Sequence, residues 1–458
     1  MSNFVRKGIF DMPANLYTER GVPFLRISDI DGLSVSLESA IRIPKWKHDE
    51  EYKTKLSGGD LVLSKVGTTG QVAKIPDGAD VNISQNLVGI SVCRGSVDSD
   101  YLLAVLNAPT MFLCIDRHVT TAVQGKLTLD ILRTLEVPVF KEVVQKYIGD
   151  KVRQAERLRA WAKELRSSVD KVLDQLSLPT TEVPAMVNRV STERLEARLD
   201  PRPYRTHYIN LVDRIKAIKH SCVSDVAELA SGCPVSSNDF IEGGEVPLVR
   251  IRNIGFDEFI DLDTGVTKAL HKDEAKYQAK ENMIVLGMDG IFRAQFFLSD
   301  ELPMLVNQRV GMITANDIRA ELLTHWLNRP EGQMQLNQWA VKTTVEHTSL
   351  SDIGRVRIPR LDTDVEEHLA DKLLNARRAY RYSRFLTTSA KLLVEALIEG
   401  RLTEAVLIVT EQALQSGNDQ SDRRILNRLK TDSVDGQGPA LFSDLDELYR
   451  LLAQAEVD

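Results

Sequence analysis

Between positions 141 and 176 the apolar and small residues fall at steps of three and four: Val144, Ile148, Val152, Ala155, Leu158, Ala162, Leu165, Val169, Val172 and Leu176. That spacing lays one apolar stripe along a helix and is the spacing of a coiled-coil seam. The run holds no proline and a single glycine, Gly149, before Leu178 and Pro179 end it. A second run, 363–398, contains neither Pro nor Gly. It carries the same stripe at Val365, Leu369, Leu373, Ala376, Ala379, Ser383, Leu386, Ala390, Leu393 and Leu397, with only Ser383 polar, and Gly400 closes it. At about 1.5 Å per residue each helix would be about 54 Å long, too long for a domain of this size to bury alone. Two such stripes in one chain are expected to bury each other, antiparallel if the flanking modules are related by a pseudo-twofold axis.

Elsewhere the period changes. Short Val/Ile/Leu runs such as 61–63 and 83–92 alternate with Gly, Asp and Asn turns, which predicts compact, strand-rich structure. The segments 99–113 and 317–328 predict short helices packed on it.

The strand-rich parts are copies of one another. PFLRISDI (23–30) returns as PLVRIRNI (247–254), and GDLVLSKVGTTG (59–70) meets ENMIVLGMDG (281–290), with Gly67 opposite Gly290. ISQNLVGISV (83–92) meets LVNQRVGMIT (305–314), with Gln85 opposite Gln308. TTAVQGKLTLDILRTLEVP (120–138) meets KTTVEHTSLSDIGRVRIP (342–359). Four matches in one order at a nearly constant offset make the chain two copies of one module, each ending in a long helix. Copy one starts abruptly: Met1 aligns with about Asp225, so the possible edge strand within 216–224 has no counterpart.

The chain has 458 residues, 43% of them hydrophobic, and a net charge of −7. The segment 401–458 carries 11 acidic and 6 basic side chains and so supplies −5 of that charge. The remainder is near neutral, and basic patches remain open to it. Cys93, Cys114, Cys222 and Cys233 form no CxxC pair and have no His at zinc spacing; they read as free thiols, which fits a reducing cytoplasm. No stretch approaches a membrane span, and MSNFVRKGIFDMP lacks a signal-peptide core.

PFLRISDI, GDLVLSKVGTTGQVAKIP, ISQNL, the EVP that leads into the long helix, RLDPRPY (198–204) and PLVRIRNI together resemble the specificity subunit of type I restriction–modification systems. The resemblance covers about residues 10–400 and rests on the duplicated plan more than on any one motif. It implies an α+β fold: two similar strand-rich target recognition domains joined by two long antiparallel coiled-coil helices, plus an acidic C-terminal extension. The expected boundaries are 1–140 and 216–361 for the recognition domains, 141–178 and 362–400 for the spacer helices, 179–215 for the linker and 401–458 for the extension. It also implies double-stranded DNA with a bipartite site as ligand and two methyltransferase subunits as partners. Those partners would bring S-adenosylmethionine, and a restriction/translocase subunit, where present, would bring ATP and Mg. The extension has no equivalent in copy one. A polar, flexible piece at 415–420 and an amphipathic segment at 441–453 are expected within it, either docked on a partner or a helix end, or solvated.

Motifs for chemistry are missing. There is no GxxxxGK[ST], no GxGxxG after a strand, and no Asn-Pro-Pro-aromatic run; His118 and His347 lie near matched loops without a nucleophile or metal cluster. The side chains placed to contact DNA flank turns. In copy one these are Lys65, Thr68, Thr69, Gln71, Arg117, His118, Thr120, Thr121, Gln124 and Lys126. In copy two they are Arg250, Arg252, Asn253, Arg293, Asn307, Gln308, Arg309, Lys342 and Thr343. Arg, Gln and Asn bond purine edges in the major groove, while Lys and Thr serve phosphates. The recurrence of Gln85 and Gln308 favours a shared structural task, because a base-reading residue should differ between modules that read different sequences. Basic residues on the first helix, among them Lys146, Lys151, Arg153, Arg157, Arg159, Lys163 and Arg166, read as a solvated face or as a track for phosphates. The alternatives are a twin-headed protein-binding scaffold, a specificity component of another defence complex, and an enzyme with an unrecognised site.

Overall fold

The octapeptides that open the repeat form the same local structure twice. In PFLRISDI the strand Val22–Leu25 runs into a single 3-10 turn, Ile27–Asp29, and in PLVRIRNI the strand Val246–Val249 runs into the turn Ile251–Asn253. Each turn is closed by its own last side chain: Arg26 N–H donates to Asp29 Oδ2 at 2.7 Å, and Arg250 N–H to Asn253 Oδ1 at 2.9 Å. A short acidic or amide side chain is what such a closure needs. The repeated octapeptide is therefore a strand with its stop.

The computed structural model describes residues 2–66, 69–93, 95–121, 125–180, 187–196, 198–342 and 344–457. The chain divides into two compact units, Met1–Arg159 with Tyr382–Asp458, and Ala160–Arg381. Each long helix contributes one part to each unit.

The first unit holds a sheet in the order Ser2–Lys7, Leu87–Val92, Leu61–Ser64, Val72–Lys74, followed by the short strands Ser34–Val35 and Ile30–Asp31. A second sheet runs Ile41–Ile43, Val22–Leu25, Asp80–Ile83, Lys55–Ser57. The second unit repeats the order with Ala227–Ser231, Val310–Ala315, Met283–Gly287 and Ala294–Phe296. Beside that sheet lie Ile241–Glu242, Thr264–Val266, Val246–Val249 and Leu305–Val306. Registers agree as well as order: Leu63 faces Val88 as Leu286 faces Gly311, and Leu25 lies parallel to Ile83 as Val249 lies parallel to Val306. A one-residue slip would turn each apolar set to the wrong face, so matched registers mean matched cores.

Met283–Gly287 shows why its sequence is apolar without alternation. Met283 and Val285 join a cluster with Val249, Val306 and Val310, while Ile284 and Leu286 join another with Trp326, Leu327, Val169 and Leu373. Side chains alternate across a strand, and here both faces are covered. In the first unit Leu25, Val62, Ile83 and Leu87 occupy the places of Val249, Val285, Val306 and Val310.

The long helices span Glu142–Asp174 and Thr363–Ile398. In the first unit Val144, Ile148, Val152, Ala155, Leu158, Leu386, Leu393 and Leu397 are buried. There Arg159 Nη2 donates to Thr387 Oγ1 at 3.0 Å, and Lys141 N–H donates to Glu404 Oε2, just beyond the end of the second helix, at 2.7 Å. Low numbers on one helix thus lie beside high numbers on the other, and the pairing is antiparallel. In the second unit Val169, Leu369 and Leu373 enter the module core itself. The seam is therefore no free coiled coil, and its second half is one wall of a domain. Leu165 and Leu176 are half-buried, and Leu176 lies beyond the last helical residue.

Val365 departs from the expected stripe and is 38% exposed. In the first turn the inward place is taken by Glu366, 6% exposed, whose carboxylate accepts from Leu361 N–H at 2.8 Å and from Arg360 at 2.9 and 3.0 Å. Capping outranks the apolar period at that end.

Two further expectations need amendment. Residues 415–420 are no flexible piece: Gly417 N–H bonds Leu414 O and Asn418 N–H bonds Ala413 O, making a tight turn between the helices Glu404–Gln415 and Gln420–Arg428. The extension is no solvated appendix either, since Leu407, Ile425, Leu426, Phe442, Leu448 and Leu451 are buried in the first unit. The edge strand absent from copy one is present in copy two, where His220–Cys222 pairs with Arg357–Pro359.

Candidate nucleic-acid interface

Three loops meet at the end of the main sheet in each unit, held by the same backbone bonds. In the first, Lys65 N–H donates to Asn86 O at 2.9 Å and Leu127 N–H to Lys65 O at 3.3 Å. In the second, Met288 N–H donates to Arg309 O at 3.2 Å and Thr348 N–H to Met288 O at 2.9 Å. These bonds tie the strand-end turn, the Gln85/Gln308 turn and a small two-stranded hairpin together. The hairpins are Thr120–Thr121 with Gly125–Lys126, and Val341–Lys342 with Glu346–His347.

A fourth segment crosses beneath each Gln turn. Gly8 N–H bonds Leu87 O and Ile9 N–H bonds Ile83 O; Gly232 N–H bonds Val310 O and Cys233 N–H bonds Val306 O. The approach is so close that a Cβ on Gly8 would stand 2.2 Å from Ile83 O, and one on Gly232 2.4 Å from Asn307 O. Only glycine fits there.

The structure gathers most of the predicted contact residues at these loops. Lys65, Thr69 and Gln71 sit on the first strand-end turn, where Ser64 N–H bonds Gln71 O and Gly70 N–H bonds Ser64 O. Arg117 is exposed at the end of the helix Pro109–Asp116 and donates through Nε to His118 Nε2 at 3.1 Å, at the entry to the hairpin. Thr120, Thr121, Lys126 and Lys342 are hairpin backbone positions. Thr68, Gln124 and Thr343 lie outside the described residues. In the second unit Gln308 and Arg309 are exposed on their turn, and Arg309 Nη1 reaches Asp289 Oδ2 at 3.5 Å. Arg293 lies with its guanidinium 4.7 Å from the centroid of the Phe256 ring.

Two of the predicted contacts are buried. Asn253 is fully buried; besides closing its turn it donates to Ile260 O at 3.0 Å and Asp261 O at 2.6 Å. Asn307 is 8% exposed, and its backbone bonds Val249 O. Asn253, whose polar side-chain atoms already serve buried backbone, has none to offer a base edge. Arg250 and Arg252 share Asp263, at 3.0 and 2.5 Å. Desolvation, and then the neighbouring charge of Arg252, lower the pKa of Arg250, while Asp263 opposes the shift.

The pattern of residue types did not single out two features of this site. His347 Nδ1 lies 2.6 Å from Asp289 Oδ1, which orients both beside Arg309. Ile291 and Val345 are 63% and 51% exposed at the tips of the second turn and hairpin. The sequence signal for Ile291 was its place between Gly290 and an apolar residue that packs inward, Phe292. Among the described residues no group of His, Cys, Asp and Glu could hold a metal ion, and no helix is long and apolar enough to cross a membrane.

No family model and no curated protein matches the chain. Among solved structures it is similar to the S subunit of a type I restriction–modification system from M. genitalium, with 12% identity, 88% of this chain and 94% of that chain covered, and a TM-score of 0.44. It is also similar to a chain from a study of complex assembly and conformational transition in the type I R-M system, with 12% identity, 83% and 92% coverage and a TM-score of 0.28. The HsdS subunit from Thermoanaerobacter tengcongensis is a third, with 12% identity, 83% and 91% coverage and a TM-score of 0.27.

Proposed function

We propose that the chain is the DNA-reading specificity subunit of a type I restriction–modification system. Each module would read one half of a bipartite duplex site, and the antiparallel helices would carry the methyltransferase subunits. One observation supports this above the others: the two modules share a backbone scaffold bond for bond around the three-loop cluster, yet present different side chains from it. Exposed Asn86 stands where exposed Arg309 does. A scaffold that is constant with variable tips suits a reader of two different sequences, whereas a catalytic site would repeat its chemistry. The twin-headed protein scaffold is the alternative, and it predicts no salt-dependent binding to DNA.

S-adenosylmethionine, ATP and Mg belong in this reading to partner subunits. The test is reconstitution with modification subunits followed by mapping of methylated bases. The chain alone should neither methylate nor cut DNA, and the complex should methylate a bipartite sequence. Replacing residues 1–137 by the matching module of a related protein should change one half-site only. Labelling by the isolated chain, or a site in which both halves change, would overturn the reading.

A further inference from the structure

Resting on the DNA-reading function, we propose that Ile291, supported by Val345, reads the 5-methyl group of a thymine in the major groove of the second module's half-site. Ile291 is held forward by its neighbours. Gly290 takes φ +74°, open to glycine, and its N–H donates to Glu346 O at 2.8 Å, which pins the turn to the hairpin. Phe292, 1% exposed, is buried in the core, and its carbonyl accepts from Gln333 Nε2 at 2.8 Å. Arg293 N–H closes back on Ile291 O at 2.9 Å. With Phe292 already in the core, Ile291 has no inward position to take. The hairpin tip is adjacent, since a Cβ on Gly290 would lie 3.8 Å from Val345 Cγ1. Val341, 47% exposed, is on the same hairpin.

A single exposed aliphatic residue on a surface is ordinary. This group differs in its setting. Arg309, whose side chain is 62% exposed, is on the adjoining turn, which the bond from Met288 N–H to Arg309 O ties to this one. An apolar tip beside an exposed guanidinium suits a polyanion that offers an apolar point, and the only apolar point on a base edge in the major groove is the thymine methyl. The two modules also differ here in sequence as readers should: Gly67 and Gly290 match, while the next residue is Thr68 in one and Ile291 in the other.

The experiment uses the complete chain with its modification subunits, on duplexes carrying the mapped site. Each thymine is replaced in turn by deoxyuridine, which removes the methyl and nothing else. The wild-type complex should lose about fourfold in affinity at one thymine of one half-site, the worth of one buried methyl. Ile291→Ala should bind the natural site more weakly by a similar factor and be indifferent to deoxyuridine at that position. It should remain as sensitive as wild type to base-pair changes in the other half-site. Ile291 is exposed, so the variant's unfolding midpoint should be unchanged, which separates recognition from folding. Indifference of the wild type to every deoxyuridine, or undiminished sensitivity in Ile291→Ala, would overturn the inference while leaving DNA reading intact. Absence of any sequence-dependent binding would instead overturn the function on which it rests.

Discussion

Lys151 Nζ lies 2.8 Å from both carboxylate oxygens of Asp422, and both side chains are 2% exposed. Lys151 is on the first long helix and Asp422 on the second helix of the acidic extension, 271 positions away. Tyr147 Oη donates to Asp422 Oδ1 at 2.5 Å, and the Tyr449 hydroxyl donates to Oδ2. Burial pushes the Asp422 carboxyl up, but the Lys151 charge and the three donors outweigh it and hold its pKa below the usual range. Burial and the Asp422 charge push the Tyr147 hydroxyl well above its ordinary value. The extension is thus tied to the helix by a fully buried ion pair inside a phenolic cage, beside the pairs Lys146–Glu411 and Arg157–Glu456.

Breaking that pair from one side should cost about 3–5 kcal/mol, because the survivor remains a buried charge. Asp422→Asn and Lys151→Met should each lower the urea midpoint, and Lys151→Met with Asp422→Leu should recover much of the loss. A double variant no more stable than the singles would contradict this account. Since the folded pKa of Asp422 is depressed, its contribution is complete above the unfolded value of about 3.9 and is lost as pH falls through the folded value. Acid unfolding of the extension, followed by Tyr449 fluorescence, should begin only below about pH 4.

Gly8→Ala and Gly232→Ala should each destabilise their own unit by more than about 3 kcal/mol. The clash in each case is with backbone carbonyls, so no side chain can swing aside to relieve it. Hydrogen exchange should show each loss confined to one unit. A neutral effect at either position would mean that the crossing segment is not pinned there.

Asn253→Ala and Arg252→Ala separate structure from recognition at adjacent positions. The first removes donors and an acceptor from buried backbone and should cost about 1–3 kcal/mol of stability. The second, with its guanidinium half-exposed on Asp263, should leave the unfolding midpoint within about 0.5 kcal/mol. Arg309→Ala should make the slope of log K against log salt shallower by about 0.9, the value of one neutralised phosphate. An unchanged slope would place Arg309 away from the DNA backbone.

Lys391 on the second helix is half-buried; burial, then repulsion from Arg384 and Arg159, lower its pKa. The folded value being depressed, the unfolded chain holds the proton more tightly, so stability rises with pH between the folded value and the unfolded value of about 10.4. Lys391→Met should raise the thermal midpoint by about 2–4 °C at neutral pH, and the gain should shrink towards pH 10. A lower midpoint would show that the ammonium has a partner that outweighs its burial.

Whatever depends on local period and on repetition was legible in the residues alone. The steps of three and four set which side of each long helix is apolar, and Val144 through Leu158 are buried as that period requires. The paired octapeptides and glycines revealed the duplication, down to strand registers. The partner of each isolated polar side chain, by contrast, came only with the folded chain. Arg252 and Asn253 are neighbours in a turn, and only the path of residues 260–263 makes one a surface cation and the other a buried brace. Glu366 displaces Val365 from the seam because Arg360 and the Leu361 amide wait there for a carboxylate. The acidic extension gave no sign of its place, because an amphipathic helix states that it will pack and not on what. Asp422 meets Lys151 only when the folded chain carries them together, and no pattern of neighbouring residues records a contact made across 271 positions.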